Sequence, residues 1–377
     1  MPMLRSLSIK NYRLFKSLTL PRLGQLNLIV GKNNSGKSCL LEAVRIYEED
    51  GDPNLLRRLI HQRHEDIEVL TRLSNETLPH PSLSDPLRNL FPEHKFPNDF
   101  ITSIRIGEAS KGSRLVEIHL GANRPTQDEN GNLLGHRLSM HEALDLIDEA
   151  RFFIEVRVIS DDEVVQRRTV RLKLPGKAAD MFSRTSRARL LSTRYVPASG
   201  WNQNQIIQLW STVLIRPSRK RQVIDALRLI DSDIQDIALL PEAVPVAIYS
   251  DDFQQPLRGM GDGMGRLFQL ALAVASTDSG VVLLDEFENG LHWSVQSDAW
   301  RFVFSLAKAT NTQVFATTHS WDCVQAFQRI DAEHPDTDGM LFHLGRSVRT
   351  SNRGQIVANA YDSEALKSMV QADIEVR

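Results

Sequence analysis

Apolar and polar residues alternate over Leu4–Ile9, and a second short strand pattern falls at Leu18–Leu20. Two unbroken apolar runs, Leu26–Val30 and Val281–Leu284, predict central strands covered on both faces. A further strand is expected over Thr312–Thr317. Helical spacing predicts helices from Lys37 to about Glu48, over Met264–Ala275, over Ser294–Lys308 and near Ser363–Val370. The first of these should end at Asp50-Gly51-Asp52-Pro53. Residues 54–98 start helical and become loop-like, with Pro79, Pro81, Pro86 and Pro92 opposing regular structure. Residues 100–120 and 151–175 have β character, and IEVRVISDDEVVQRRTVRLKL predicts a hairpin turning at Ser160–Glu163. Residues 203–237 read as two helices, IIQLWSTVLI and KRQVIDALRLIDSDIQDI, followed by a strand at VPVAIYSD. MLFHLGR and GQIVANAY predict a late hairpin. No internal repeat and no sustained heptad pattern occurs, so no long coiled coil is expected.

Strands alternating with helices indicate an α/β fold. We divide 1–377 into one module: a nucleotide core of about 1–50 and 245–377, an antiparallel β region of about 100–175 and a helical insert of about 177–245. With 41% hydrophobic residues the chain can bury a proper core. Two cysteines, Cys39 and Cys323, are too few for a disulfide framework and fit a reducing cytoplasm. The N-terminus carries no signal-type apolar stretch and no apolar run reaches eighteen residues, so no membrane span is expected. The net charge of −2 is unevenly spread: Arg167–Arg221 holds thirteen Lys/Arg and one acid, Asp180. That asymmetry suits an acidic partner such as nucleic acid; arginines paired with acids elsewhere in the fold would look the same.

Candidate chemistry concentrates in four segments. Gly31, Lys32, Asn33, Asn34, Ser35, Gly36, Lys37 and Ser38 fit G-x-x-x-x-G-K-[ST], between a buried strand and a helix that continues with Cys39. Consecutive backbone N–H groups and the helix N-terminus would cradle the phosphates of ATP. Lys37 would reach the β- and γ-phosphates, and Ser38 would offer its hydroxyl to Mg²⁺. In VVLLDEFENGLH, Asp285 and Glu286 stand at a strand's C-terminal tip, where ligands of open α/β sheets bind. Asp285 would hold Mg²⁺, and Glu286 would orient or deprotonate the attacking water. In QVFATTHS, His319 ends a strand and could hydrogen-bond the γ-phosphate, or could cap the helix beginning near Ser320. Gly259, Gly261, Gly263 and Gly265 precede the next helix and make a second anion cradle, with Asp262 among them.

With these motifs the sequence resembles an ABC-type ATPase of the SMC/RecF branch. Within it, the chain is most similar to the ATPase module of the Overcoming Lysogenization Defect (OLD) nucleases and their stand-alone relatives. The segments LSIKNYRLFKSLTL, LNLIVGKNNSGKSCLLEAV, PLRGMGDGMGRL, GVVLLDEFENGLHWSVQ and QVFATTHSWDCVQAF carry the resemblance. It implies a P-loop NTPase head with a mixed β-sheet core, an antiparallel β subdomain and a short helical insert. It implies that Met260–Met264 stands where ABC proteins carry the signature loop, and that Asn289–His292 is the D-loop at a dimer interface. Two ATPs would lie between two heads, forming a homodimer or a higher even oligomer. Three departures matter. The signature serine is absent, with Gly261 near its place. A Q-loop glutamine is not evident, Gln203 and Gln205 being candidates. OLD nucleases continue into a Toprim domain, for whose metal cluster the stretch after His319, with Asp336-Thr337-Asp338 as its one D-x-D, has no room, so nuclease activity is not expected of the chain itself.

The resulting expectation is a slow ATPase switch that serves a separately encoded effector, such as a Toprim- or HNH-type nuclease, in phage defence. The alternative is a RecF-like DNA-binding ATPase of repair or recombination, using the Arg167–Arg221 segment. An ABC transporter subunit fits less well, because of the NYRLF opening and the missing Q-loop.

Overall fold

The computed structural model describes residues 3–65, 85–110, 112–127, 133–146, 149–172, 193–251 and 253–372. The chain opens with a hairpin, β1 (Leu7–Tyr12) and β2 (Phe15–Leu20), then β3 (Leu26–Val30), α1 (Lys37–Glu48) and α2 (Pro53–Gln62). A β-rich stretch follows: β4 (Ser103–Gly107), β5 (Leu115–Gln127), β6 (Leu133–Leu138), a short α3 (Met140–Asp145), β7 (Arg151–Ser160) and β8 (Glu163–Arg171). Next come β9 (Thr193–Val196), α4 (Gln203–Leu214), α5 (Pro217–Leu227), β10 (Asp236–Leu240), β11 (Val244–Ile248) and β12 (Gln254–Pro256). The last third holds α6 (Asp262–Ala275), β13 (Val281–Leu284), α7 (Trp293–Thr310), β14 (Gln313–Thr318), α8 (Trp321–Glu333), β15 (Gly339–Arg346), β16 (Ile356–Tyr361) and α9 (Ser363–Gln371).

The core sheet runs β16-β15-β3-β14-β13-β9 and is parallel except for β16. Because successive side chains of a strand point to opposite faces, its apolar strands feed two cores. Ile29, Leu283, Phe315 and Phe342 join α1, α2 and the antiparallel sheet. Leu28, Leu284, Val314 and Leu341 join the helices α4 to α8. Burial on both faces explains why β3, β13 and β14 carry unbroken apolar sequences. The antiparallel sheet, β2-β1-β4-β5-β7-β8 with β6 on β5, covers the first core. Hence β1 and β2, which the sequence places in the nucleotide core, are strands of the antiparallel sheet.

Local chemistry sets the element ends. α1 stops where Asp50 and Gly51 take positive φ and the Gly51 N–H reaches the Ile46 carbonyl at 2.8 Å. Asp52 then caps α2, accepting from Asn54 N and Leu55 N, with Pro53 at the first helical position. Two expectations are corrected. The helix expected up to residue 237 ends at Leu227, because Arg228 Nε donates to the Ile234 carbonyl and the Tyr249 hydroxyl to Asp231. The remaining Asp236–Leu240 pairs with β11. Thr193–Val196, assigned from sequence to the helical insert, is an edge strand of the core sheet, paired in parallel with β13.

Candidate functional site

The loop between β3 and α1 is shaped to hold phosphate. Gly31 has φ 148°, Asn34 φ 61° and Gly36 φ 95°. A Cβ on Gly31 would stand 2.4 Å from the Leu344 carbonyl oxygen, and one on Gly36 would stand 2.8 Å from the Phe15 ring. Both positions therefore require glycine. No side chain caps α1, so the N–H groups of its first turn are left to a ligand. The Ser35 hydroxyl is buried and has no hydrogen-bond partner among the described residues. Lys37 Nζ folds back on the carbonyls of Gly31 (2.6 Å) and Lys32 (3.2 Å). Burial holds the Lys37 amine below the ordinary lysine range, against the pull of Glu286, Asp285 and Glu288. Buried orphan donors around a backbone cradle fit a polyphosphate.

The acidic turn after β13 sits beside this loop. Ser38 Oγ donates to Asp285 Oδ1 at 3.3 Å, and Thr317 Oγ1 donates to the same oxygen at 2.7 Å. The Tyr195 hydroxyl donates to Asp285 Oδ2 at 3.3 Å. Burial, and then the Asp285 charge, push that phenol well above its usual range. Asp285 and Ser38 thus present neighbouring hard oxygens, the donor set of a Mg²⁺ completed by phosphate and water. Glu286 takes φ 50°, a left-handed conformation, with its N–H held by Thr317 Oγ1 at 2.8 Å. Phe287 stacks flat on Trp300, ring centroids 3.8 Å apart, which pins the turn from below.

His319 directly follows β14, the neighbour of β13. Its Nδ1 lies 3.1 Å from Glu288 Oε1, which also accepts its backbone N–H at 3.0 Å. Ser320, not His319, caps α8. The glycine loop behaves differently. Gly261 has φ 98° and precedes α6, which again has no side-chain cap. A Cβ on Gly263 would come within 2.9 Å of the Gly290 carbonyl oxygen, so this loop packs tightly on Asn289–His292.

A cleft of about 860 Å³ lies over the P-loop. Asn33–Cys39, Asp285 and Glu286 line it; Gly261, Asp262, Gly263 and His319 do not. Within one chain, then, the glycine loop and the P-loop belong to separate surfaces. Gln205 forms a capping box with Asn202 at the start of α4, and neither Gln203 nor Gln205 lines the cleft. Within Arg167–Arg221, Lys173–Arg189 lies outside the described residues. Among the described ones, Arg167 pairs with Glu155, Arg168 with Asp52, Arg216 and Arg219 with Asp278, and Lys220 with Asp236. These cations are answered inside the fold.

A family model described as "AAA domain, putative AbiEii toxin, Type IV TA system" matches residues 26–322, more than three quarters of the chain. The chain belongs to this AAA-domain family. An ATP/GTP phosphatase of Helicobacter pylori is 22% identical over 351 residues, 88% of this chain and 89% of that one. An uncharacterised protein of Methanocaldococcus jannaschii is 47% identical over 45 residues, 12% of this chain and 20% of that one. Among solved structures, the SMC head domain from Thermotoga maritima covers 96% of this chain and 99% of its own, with 14% identity and TM-score 0.45. An SMC head bound to the C-winged helix domain of ScpA covers 98% and 100%, with 12% identity and TM-score 0.47.

The AAA-family match begins at β3 and takes in the P-loop, the acidic turn and His319. This AAA-family chain also holds a site residue that its sequence conceals. Arg266, one turn into α6, is buried, and its hydrogen bonds among the described residues go to backbone carbonyls. Its Nη2 donates to the carbonyls of Asp285 (2.6 Å) and Glu286 (2.7 Å), and its Nη1 to that of Pro197 (3.0 Å). Arg266 therefore ties the glycine-loop helix to the acidic turn. Thr317 and Glu288, inside the quoted segments but not singled out there, and Tyr195, outside them, are likewise supporting residues. The one available signal was an arginine among the apolar positions of a buried helix, MGRLFQLALAV.

Proposed function

We propose that this AAA-family chain binds and hydrolyses ATP with Mg²⁺ as a switch, dimerising around the nucleotide. The observation carrying this reading is the convergence of the P-loop, Asp285 and Glu286 on one cleft, with a second uncapped helix N-terminus at Gly261 outside its lining. A second copy, placed head to tail, would bring its Gly261-Asp262-Gly263 to the open side of that cleft. Trp293 follows the Asn289–His292 loop and is 67% exposed, which suits a surface that a partner covers.

In the proposed cycle the loop N–H groups and Lys37 hold the β- and γ-phosphates. Ser38 and Asp285 would hold Mg²⁺, which supplies charge neutralisation at the transferred phosphoryl group. Glu286 Oε accepts a proton from the attacking water, and Thr317 and Arg266 fix its backbone for that task. His319, oriented by Glu288 and outside the cleft lining of the single chain, would hydrogen-bond the γ-phosphate once the site closes around it. We further propose an OLD-like role without nuclease activity of its own: slow turnover, with the closed dimer acting as sensor and scaffold for a separately encoded effector, a nuclease, in phage defence. The family description, which names a toxin and a TA system, supports work in concert with another gene product.

The test is Glu286→Gln. It should retain ATP binding, lose roughly 10²–10⁴-fold in turnover, and accumulate an ATP-dependent dimer by light scattering. Lys37→Ala should lose nucleotide binding. Full turnover in Glu286→Gln would overturn the assignment. Co-purification with operon neighbours, followed by native mass measurement with and without ATP, tests the effector; a chain that stays alone under both conditions refutes that part.

A further inference from the structure

We propose that Arg346 and Arg353, on the β15–β16 hairpin, form a second phosphate grip that holds the α-phosphate end of the bound nucleotide. The inference rests on the nucleotide site proposed above and extends it to residues outside the family match.

Six Lys and Arg side chains line the cleft. Arg13 is paired with Glu42 and Glu65, Arg63 with Glu42, and Lys16 with Glu93. Lys37 belongs to the P-loop. Arg346 and Arg353 remain, and among the described residues neither has an acidic partner. Arg346 Nη1 donates only to the Gly354 carbonyl, at 3.1 Å. Two guanidinium groups without acidic partners thus line the same cleft as Lys37, and together they favour an anion there.

The hairpin is built to hold these arginines in place. Ser347 Oγ donates to Asn352 Oδ1 at 2.6 Å, and the N–H groups of Ser347 and Gly354 bond Gln355 O and Ser347 O, each at 2.8 Å. β15 also abuts the cradle directly, since the Leu344 carbonyl fills the place of a Gly31 side chain.

Sheet order says which part of the nucleotide they meet. β14 and β13, which bear His319, Asp285 and Glu286, flank β3 on one side, and β15 flanks it on the other. A nucleotide whose γ-phosphate meets Asp285 and Glu286 runs across the P-loop toward β15. Its α-phosphate and ribose then lie beneath the hairpin. Guanidinium forks suit phosphate oxygens. Arg346 and Arg353 therefore act in binding rather than in the hydrolytic step.

The full-length double variant R346Q/R353Q tests this. Both residues are exposed, so the thermal midpoint should stay at the wild-type value. Competition against a fluorescent ADP analogue should show ATP and ADP weakened by the same factor, roughly tenfold for each arginine removed. At saturating ATP, kcat should hold within about twofold while KM rises. Arg346→Lys should restore part of the affinity. Unchanged affinity for both nucleotides would overturn the proposal. So would a loss confined to ATP with falling kcat, which would move the arginines to the γ-phosphate. So would weakened oligonucleotide binding with intact ATP binding, which would assign them to a nucleic-acid backbone. Lys37→Ala is the separate control: if it binds ATP as wild type does, the nucleotide site itself is misplaced, whatever the arginines do.

Discussion

Replacing Arg266 with methionine removes one side chain that supports three carbonyls on two loops. Hydrogen bonds from a charged donor contribute about 1.5–3 kcal/mol each. Burial opposes the gain, and it holds the Arg266 guanidinium below the ordinary arginine range. A net loss of about 3 kcal/mol is the expected scale. Unfolding entropy near 2.1 cal/mol/K per residue makes that a drop of about 4 °C in the thermal midpoint for a chain this long. Turnover should suffer more than stability. Glu286 sits in a left-handed conformation that costs about 1–3 kcal/mol and is held from both sides, by Thr317 and by Arg266. With Arg266 gone the turn relaxes, and a shift of about 1 Å in a catalytic group costs on the order of 10²-fold in rate. KM for ATP should barely move, because the P-loop contacts are untouched. Arg266→Lys should recover part of the melting temperature and little of kcat, since one ammonium cannot reach all three carbonyls. Thermal melts and phosphate-release kinetics measure both effects. A methionine variant that melts within about 1 °C of wild type and turns over at the wild-type rate would refute the account.

Other expectations follow from single contacts. Thr317→Val removes the hydroxyl that joins Asp285 Oδ1 to the Glu286 N–H and should cost about 1–3 kcal/mol, read as a lower denaturant midpoint; an unchanged midpoint would contradict the bond pair at 2.7 and 2.8 Å. Gly263→Val must displace the Gly290 carbonyl and should impair ATP-driven dimerisation while leaving ATP affinity of the monomer intact, as light scattering and equilibrium binding would show. Cys39 is buried, and burial with the nearby Glu42 charge raises its thiol to about 11; thiol reagents at neutral pH should therefore modify it only on unfolding, and fast labelling of the native protein would argue against this packing.

The parts visible in sequence were those governed by local rules. Leu26–Val30 and Lys37–Glu48 form as read, because an all-apolar strand and a glycine-lysine turn leave the backbone few alternatives. The hairpin turning at Asp161 and Asp162 also forms where the alternation put it. Thr193–Val196 escaped notice because four mixed residues have no periodicity; its pairing with β13 makes it a strand. Arg228–Ile237 read as helix because its apolar spacing continued that of α5, and tertiary bonds at Arg228 and Tyr249 overrode it. In the site, residues that would touch a nucleotide carry motifs. The roles of those that hold such residues in place are not readable from the segments that contain them: Arg266, Thr317 and Glu288 matter through where the chain returns in space.

The Gly290 carbonyl leaves no room for a side chain at Gly263. The start of α6 and the Asn289–His292 loop must therefore move as one body, and Arg266 extends that body to Glu286. In the proposed dimer, each copy would feel its neighbour's nucleotide through the same piece that sets its own catalytic turn. The two compartments would then share a clock. A mixed dimer with one Lys37→Ala subunit should release phosphate at well under half the wild-type rate, because an empty compartment stalls the full one.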